Sequence, residues 1–141
     1  MQNYNLERFV KAQENTYEVA LSEIRSGRKE SHWMWFIFPQ IKGLGRSQTA
    51  VYYAIENLEE ASQYLNHPIL GARLINISEE LLKIEGKSAV EIFDKIDAAK
   101  LKSSMTLFSL IEGAPNVFDL VLQKYFKGNK DNSTISINNK N

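Results

Sequence analysis

The sequence predicts an all-α fold: one compact domain of about seven or eight short-to-medium helices over residues 1–128, then a polar tail over 129–141. Three observations carry that prediction. Apolar residues recur at spacings of three and four, the repeat of a helix with one buried face. Ser, Thr, Asn or Asp precedes most of these runs and glycine closes them, the chemical start and stop signals of helices. No two alternating apolar runs are joined by a hairpin-type turn.

The elements follow in order. Leu6, Phe9 and Val10 mark a short first helix, and Tyr17, Ala20, Leu21 and Ile24 a second that ends at Gly27. Between them Asn15-Thr-Tyr-Glu18 has the form of a cap with an acid three positions on. Ser31 to Phe38, closed by Pro39, reads as a short helix, although its aromatic and β-branched content also suits a buried strand. A loop over 39–47 holds Gly43 and Gly45, and Ser47 is placed to cap a helix through Ala50 and Tyr53.

Asn57-Leu-Glu-Glu60 is a capping box that opens a helix through Ala61, Tyr64 and Leu65. Pro68 stands in the first turn of the next, which carries Leu70, Leu74, Ile77 and Leu81 and stops at Gly86. A second box, Ser88-Ala-Val-Glu91, starts a short helix through Phe93, and Asp97 is read as the cap of a separate one through Leu101, Met105 and Phe108. The last predicted helix runs from Pro115 through Val121 and Tyr125 to about Gly128. Beyond it only Ile135 and Ile137 are apolar, so the tail is read either as flexible or as a short extension docked by those two isoleucines.

Charge and composition narrow the function. Lys plus Arg equals Asp plus Glu at 17 each, without the basic excess of most nucleic-acid binders, so nucleic acid is not the expected partner. The absence of cysteine removes disulfides, thiolate chemistry and Cys-based metal sites. The two histidines, His32 and His67, lack ligand spacing, and no metal or cofactor is expected; His67 is placed to cap or precede a helix. The longest apolar run, Trp33 to Phe38, is too short to span a bilayer, and the N-terminus has no signal-peptide layout. A cytoplasmic protein is the expectation.

Three motifs carry candidate chemistry, each with a plainer reading beside it. Ser31-His-Trp-Met-Trp-Phe-Ile-Phe-Pro-Gln40 holds both tryptophans; it is either core, or an aromatic wall from Trp33 or Trp35 with polar contacts from His32 and Gln40. Lys42-Gly-Leu-Gly-Arg-Ser47 leads into a helix, where free N–H groups and Arg46 suit phosphate or carboxylate, or else it is a plain connection. It lacks the Gly-Lys-Ser/Thr ending of a P-loop and the third glycine of the dinucleotide fingerprint. Ser103, Ser104 and Thr106 either bond back to their own helix or point polar groups into a pocket.

These stretches carry a resemblance. Leu6-Glu-Arg-Phe-Val-Lys-Ala-Gln13, His32 to Gln40, Gly43-Leu-Gly-Arg-Ser47, Tyr64 to Leu74 and Lys100 to Phe108 resemble the bacterial domain of unknown function 1810 family, from about Leu6 to the Asp131–Thr134 region. The resemblance implies an all-helical fold and supplies no established activity. Members sometimes carry the label calpastatin, after a repetitive disordered protease inhibitor; this chain has no such repeats, and no inhibitor role follows.

The expected function is binding of a small phosphorylated or nucleotide-like ligand. The site residues are His32, Trp33, Trp35, Gln40, Gly43, Gly45, Arg46 and Ser47. Arg46 and the helix start at Ser47 would take the anion, and one tryptophan would stack on a ring. No nucleophile or acid–base pair stands out. The alternative is a non-catalytic module that offers an aromatic face, Trp33 or Tyr52 with Tyr53, to a protein partner.

Overall fold

The structure, a computed structural model, describes residues 3–140. Among the described residues there are nine helices: α1 Glu7–Gln13, α2 Tyr17–Arg25, α3 Met34–Ile37, α4 Gln48–Tyr52, α5 Leu58–Asn66, α6 Leu70–Lys83, α7 Ala89–Ser109, α8 Val117–Phe126 and α9 Asn132–Lys140. The only strand-like feature among them is an isolated parallel bridge between Ile41 and Ile55. The all-helical prediction holds, and no helix is long and apolar enough to cross a membrane.

Capping explains where several helices begin. The Ser47 hydroxyl accepts from the Ala50 N–H, the Asn57 side chain from Glu60 N–H, and Ser88 and Glu91 form both halves of a capping box. His67 Nδ1 accepts from the N–H groups of Ile69 and Leu70, so an imidazole closes the start of α6. Each bond satisfies a donor that the first helical turn leaves free.

Three local readings differ from the sequence. Asn15 does not cap α2: the residue before that helix is Thr16, in helical backbone and without a side-chain cap bond. The helix expected over Ser31 to Phe38 is shorter: α3 begins only at Met34, and the Ser31 hydroxyl donates to Glu23. The expected division between a short helix through Phe93 and a longer one is present, but it falls at Asp94, and Asp97 is not its cap. Asp97 lies within α7, which continues through a break at Asp94, and its carboxylate pairs with Lys29 and Lys100. The segment read as a polar tail holds α9, packed on α7.

Packing centres on α7, which meets α5, α8 and α9, while α6 meets α2, α5 and α8. An aromatic chain runs through the core from Phe9 to Tyr64 (5.0 Å between ring centres), Phe108 (5.4 Å) and Phe118 (5.8 Å). These separations suit edge and tilted contacts of the ring quadrupoles. Gly71 lets α6 approach α5: a Cβ there would stand 1.9 Å from the Leu65 carbonyl oxygen.

Several buried polar groups are matched. Gln13 donates to the Phe36 carbonyl and the Tyr64 hydroxyl and accepts from Arg73. Arg8 pairs with buried Glu60 at 2.9 Å and donates to the Tyr52 and Ala54 carbonyls, tying α1 to the chain between α4 and α5. Buried ions persist only when so paired.

Candidate functional site

The site begins with a carboxylate ten residues away from the aromatic segment. Glu23 on α2 accepts from the backbone N–H groups of Glu30 and Ser31 at 2.8 and 2.9 Å, the Ser31 hydroxyl at 2.6 Å and the Trp33 indole at 2.9 Å. Burial alone would raise the Glu23 pKa. The hydrogen bonds from Ser31, Glu30 and Trp33 outweigh it and hold the pKa at about 2. The clamp turns Trp33 inward, where its ring is fully buried with Phe38 and Phe93 as neighbours.

One helical turn then decides which side chains face out. Met34, Ile37 and Phe38 are buried, whereas Trp35 and Phe36 are half-buried. After Pro39 the backbone is stapled at the base of the glycine loop. The Gln40 carbonyl accepts from Ile55 N–H, and Lys42 N–H donates to the Ile55 carbonyl, both at 2.8 Å. Gly45 passes so close to α4 that a Cβ there would be 2.5 Å from Ala50 Cβ.

The opposite wall comes from α7. Asp94 has φ 68° and ψ 169°, a backbone region used almost only by glycine, and it breaks the helix there. Beyond the break Lys95, Ile96, Ala99, Lys100 and Ser103 share one helical face. That face and the loop residues Gln40, Leu44 and Gly45 line an open groove of about 550 Å³. The volume lies within the ~300–1,000 Å³ of small-molecule sites.

The groove is mostly apolar. Leu44, Ile96 and Ala99 line it together with the side chains of Lys95 and Lys100, and no carboxylate lines it. Lys100 Nζ lies 5.0 Å over the Trp35 ring and 3.6 Å from Asp97. Asp97 also holds Lys29 at 3.0 Å, and Lys29 sits 4.9 Å over Trp33. Lys95 makes no ion pair with any described residue. A slot of about 10 Å³ beside Trp35, bounded by Gln40, Gly45, Ala50 and Tyr53, has room for about one water.

Of the residues expected from sequence, Trp35, Gln40 and Gly45 come together. Trp33 belongs to the core with its N–H engaged, and His32 is exposed outside the groove. Gly43 faces a second cleft shared with α9. Arg46 and Ser47 are exposed and do not line the groove; Ser47 is occupied in capping α4, a helix of only five residues. Sequence reasoning missed Lys95, Ile96 and Ala99, although the 95, 99, 103 spacing was there to be read. Lys100 and Ser103 stood in a recognised stretch, but the expected placement of Asp97 at a helix start hid their shared face.

Ser103 and Thr106 follow their plainer reading: their hydroxyls donate to the Ala99 and Lys102 carbonyls. Buried Ser104 Oγ has no partner. Among the described residues no group of three or more His, Asp or Glu is gathered to hold a metal ion.

Known proteins place the chain. No curated protein matches it. The crystal structure of the conserved hypothetical protein Rv1873 from Mycobacterium tuberculosis is similar, at 46% identity and a TM-score of 0.93, over 95% of this chain and 96% of that one. The profile of a family described as protein of unknown function, DUF1810, matches residues 3–137. The chain belongs to the DUF1810 family.

Proposed function

We propose that this cytoplasmic protein binds a small phosphorylated or nucleotide-like ligand in the groove between the glycine loop and α7. The observation that carries the reading is the pairing of two lysines with apolar walls in a carboxylate-free groove. A ligand of this kind has an apolar ring and an anionic group. The ring would lie against Leu44, Ile96 and Ala99, and the anion would meet Lys95 and Lys100. Gln40 supplies the one planar amide in the lining, able to donate and accept for orientation. Arg46 stands outside the groove, makes no ion pair with any described residue, and is a source of long-range attraction.

The reading is of binding rather than turnover. The Ser103 hydroxyl, the one hydroxyl in the lining, donates to the Ala99 carbonyl of its own helix and is held there rather than aimed at a ligand.

A rival reading has one observation in its favour: Val51 and Tyr52 are neighbours, 57% and 55% exposed, a small apolar face of the type that protein partners cover.

A thermal-shift panel of inorganic phosphate, AMP, ADP-ribose and sugar phosphates tests the proposal. A ligand at a hundredfold excess over its Kd adds about 2.7 kcal/mol to stability, a readily measured shift. The expected result is a stabilising hit that is lost in Lys95→Ala/Lys100→Met. Silence across the panel, or a hit that the double variant retains, overturns it.

A further inference from the structure

We propose that α9 is a reversible strap whose docking sets the position of the glycine loop, and hence one wall of the groove. As a statement about ligand control it rests on the binding reading above; as a statement about the loop it stands on contacts alone. Leu44 is the shared element. It lines the groove on one side and, with Gly43, lines a cleft of about 360 Å³ on the other, closed by Asn132, Ser133, Ser136 and Ile137.

The strap touches the loop at its most adaptable point. Gly43 has φ +107°, and a Cβ built there would lie 3.4 Å from Ile137 Cδ1. Ile137 therefore packs against the backbone of the loop. At the other end α9 is bolted to the helix that forms the opposite wall. Asp131 caps it, accepting from the Thr134 N–H at 3.0 Å and the Thr134 hydroxyl at 2.6 Å. The Asp131 N–H donates to Thr106 Oγ1 at 2.9 Å, and that hydroxyl donates to the Lys102 carbonyl at 2.8 Å. One short helix thus bridges both walls.

Its hold is light. Nine residues form little helix in water without tertiary support. Thr134 is its one buried residue, Ile135 and Ile137 are half-buried, and Asn138 Oδ1 is buried without a partner among the described residues. An unpartnered buried acceptor opposes docking. The cleft beside Ile137 leaves the contact incompletely filled, which weakens the docking. Release would free Gly43 and Leu44 to move and loosen the groove; a ligand that needs the groove formed would favour the docked strap by the same factor.

The test uses the full chain without ligand. Amide hydrogen exchange is followed at Lys42 and Ile55, whose bonds close the base of the loop, and the amide shifts of Gly43, Leu44 and Gly45 are followed by NMR. In Ile137→Ser these loop shifts move and exchange at Lys42 and Ile55 rises at least tenfold, with α1 and α6 unchanged. Thr134→Val, which removes the hydroxyl that donates to Asp131 but keeps the shape, gives the same pattern more weakly. Faster exchange confined to α9, with Lys42, Ile55 and the loop shifts unmoved, overturns the strap. A silent ligand panel would remove the binding reading while leaving this coupling intact, so the two failures are distinguishable.

Discussion

Trp33 and Trp35 are two residues apart and have opposite fates. Trp33 is fully buried, its N–H taken by Glu23, with Lys29 over its ring. Trp35 is half-buried beside the small slot that shares Gln40 and Gly45 with the groove, with Lys100 over its ring. Asp97 holds both lysines, so one carboxylate joins an inner, structural aromatic site to an outer one. On the inner side the indole N–H has its partner; on the outer side Lys95 and Arg46 carry charge that no described side chain neutralises. Polar groups matched within the fold stabilise it, whereas unmatched ones at a groove are free for a ligand.

The largest expected effect breaks the inner side. Trp33→Ala removes a fully buried aromatic and should lower stability by about 3–5 kcal/mol. Trp35→Ala gives up partial burial and one cation–π contact and should cost about 1–2 kcal/mol. Urea unfolding of the two variants decides the matter. Equal losses would mean that Trp35 is as structural as Trp33, and the contrast between the faces would go.

Next in size is the clamp. Glu23→Ala leaves the Trp33 indole and two backbone N–H groups without their acceptor and should cost about 2–3 kcal/mol. Its pH signature is specific. The folded-state pKa of about 2 lies below the ordinary carboxyl value of about 4.3. A depressed value means that the stabilisation is complete above about pH 5 and is lost as pH falls toward about 2. Glu23→Gln has no such titration, so the stability gap between it and the wild type should be wide at pH 7 and narrow at pH 3. A gap that is constant across that window would show that charge plays no part in the clamp.

These contrasts mark what was legible in the sequence. Ser47, Asn57 and Ser88 announced their helices because a cap is chemistry between residues three apart. The facing of Trp33 and Trp35 was not legible, since it depends on Glu23 reaching across from another helix. The groove's far wall was hidden for a related reason. Asp97 before an apolar run has the form of a cap, but the chain breaks three residues earlier, at Asp94, in a backbone region that propensity would not assign to aspartate. Glycine gave a half-signal: Gly45 lines the groove, whereas Gly43 turns toward α9. In α9, Ile137 gains its role only through contact with a loop about ninety residues earlier in the chain.

The smallest expected effect is the sharpest test of where an anion sits. Arg46 was the natural anchor in the sequence, one residue before a helix start. In the structure it is exposed, makes no ion pair with a described residue, lies outside the groove lining, and precedes a helix whose cap bond is already made by Ser47. Arg46→Ala should therefore leave the unfolding midpoint where it is and weaken binding of a phosphorylated ligand only two- to threefold, an effect that added salt erases because exposed charges are screened beyond about 10 Å at 0.1 M. Lys95→Ala/Lys100→Met should remove the same binding at any salt concentration. Titration calorimetry of both variants at low and high salt separates the cases. Loss of binding in Arg46→Ala alone would move the anion to the outer side of the loop, and the groove would then hold only the apolar part of the ligand.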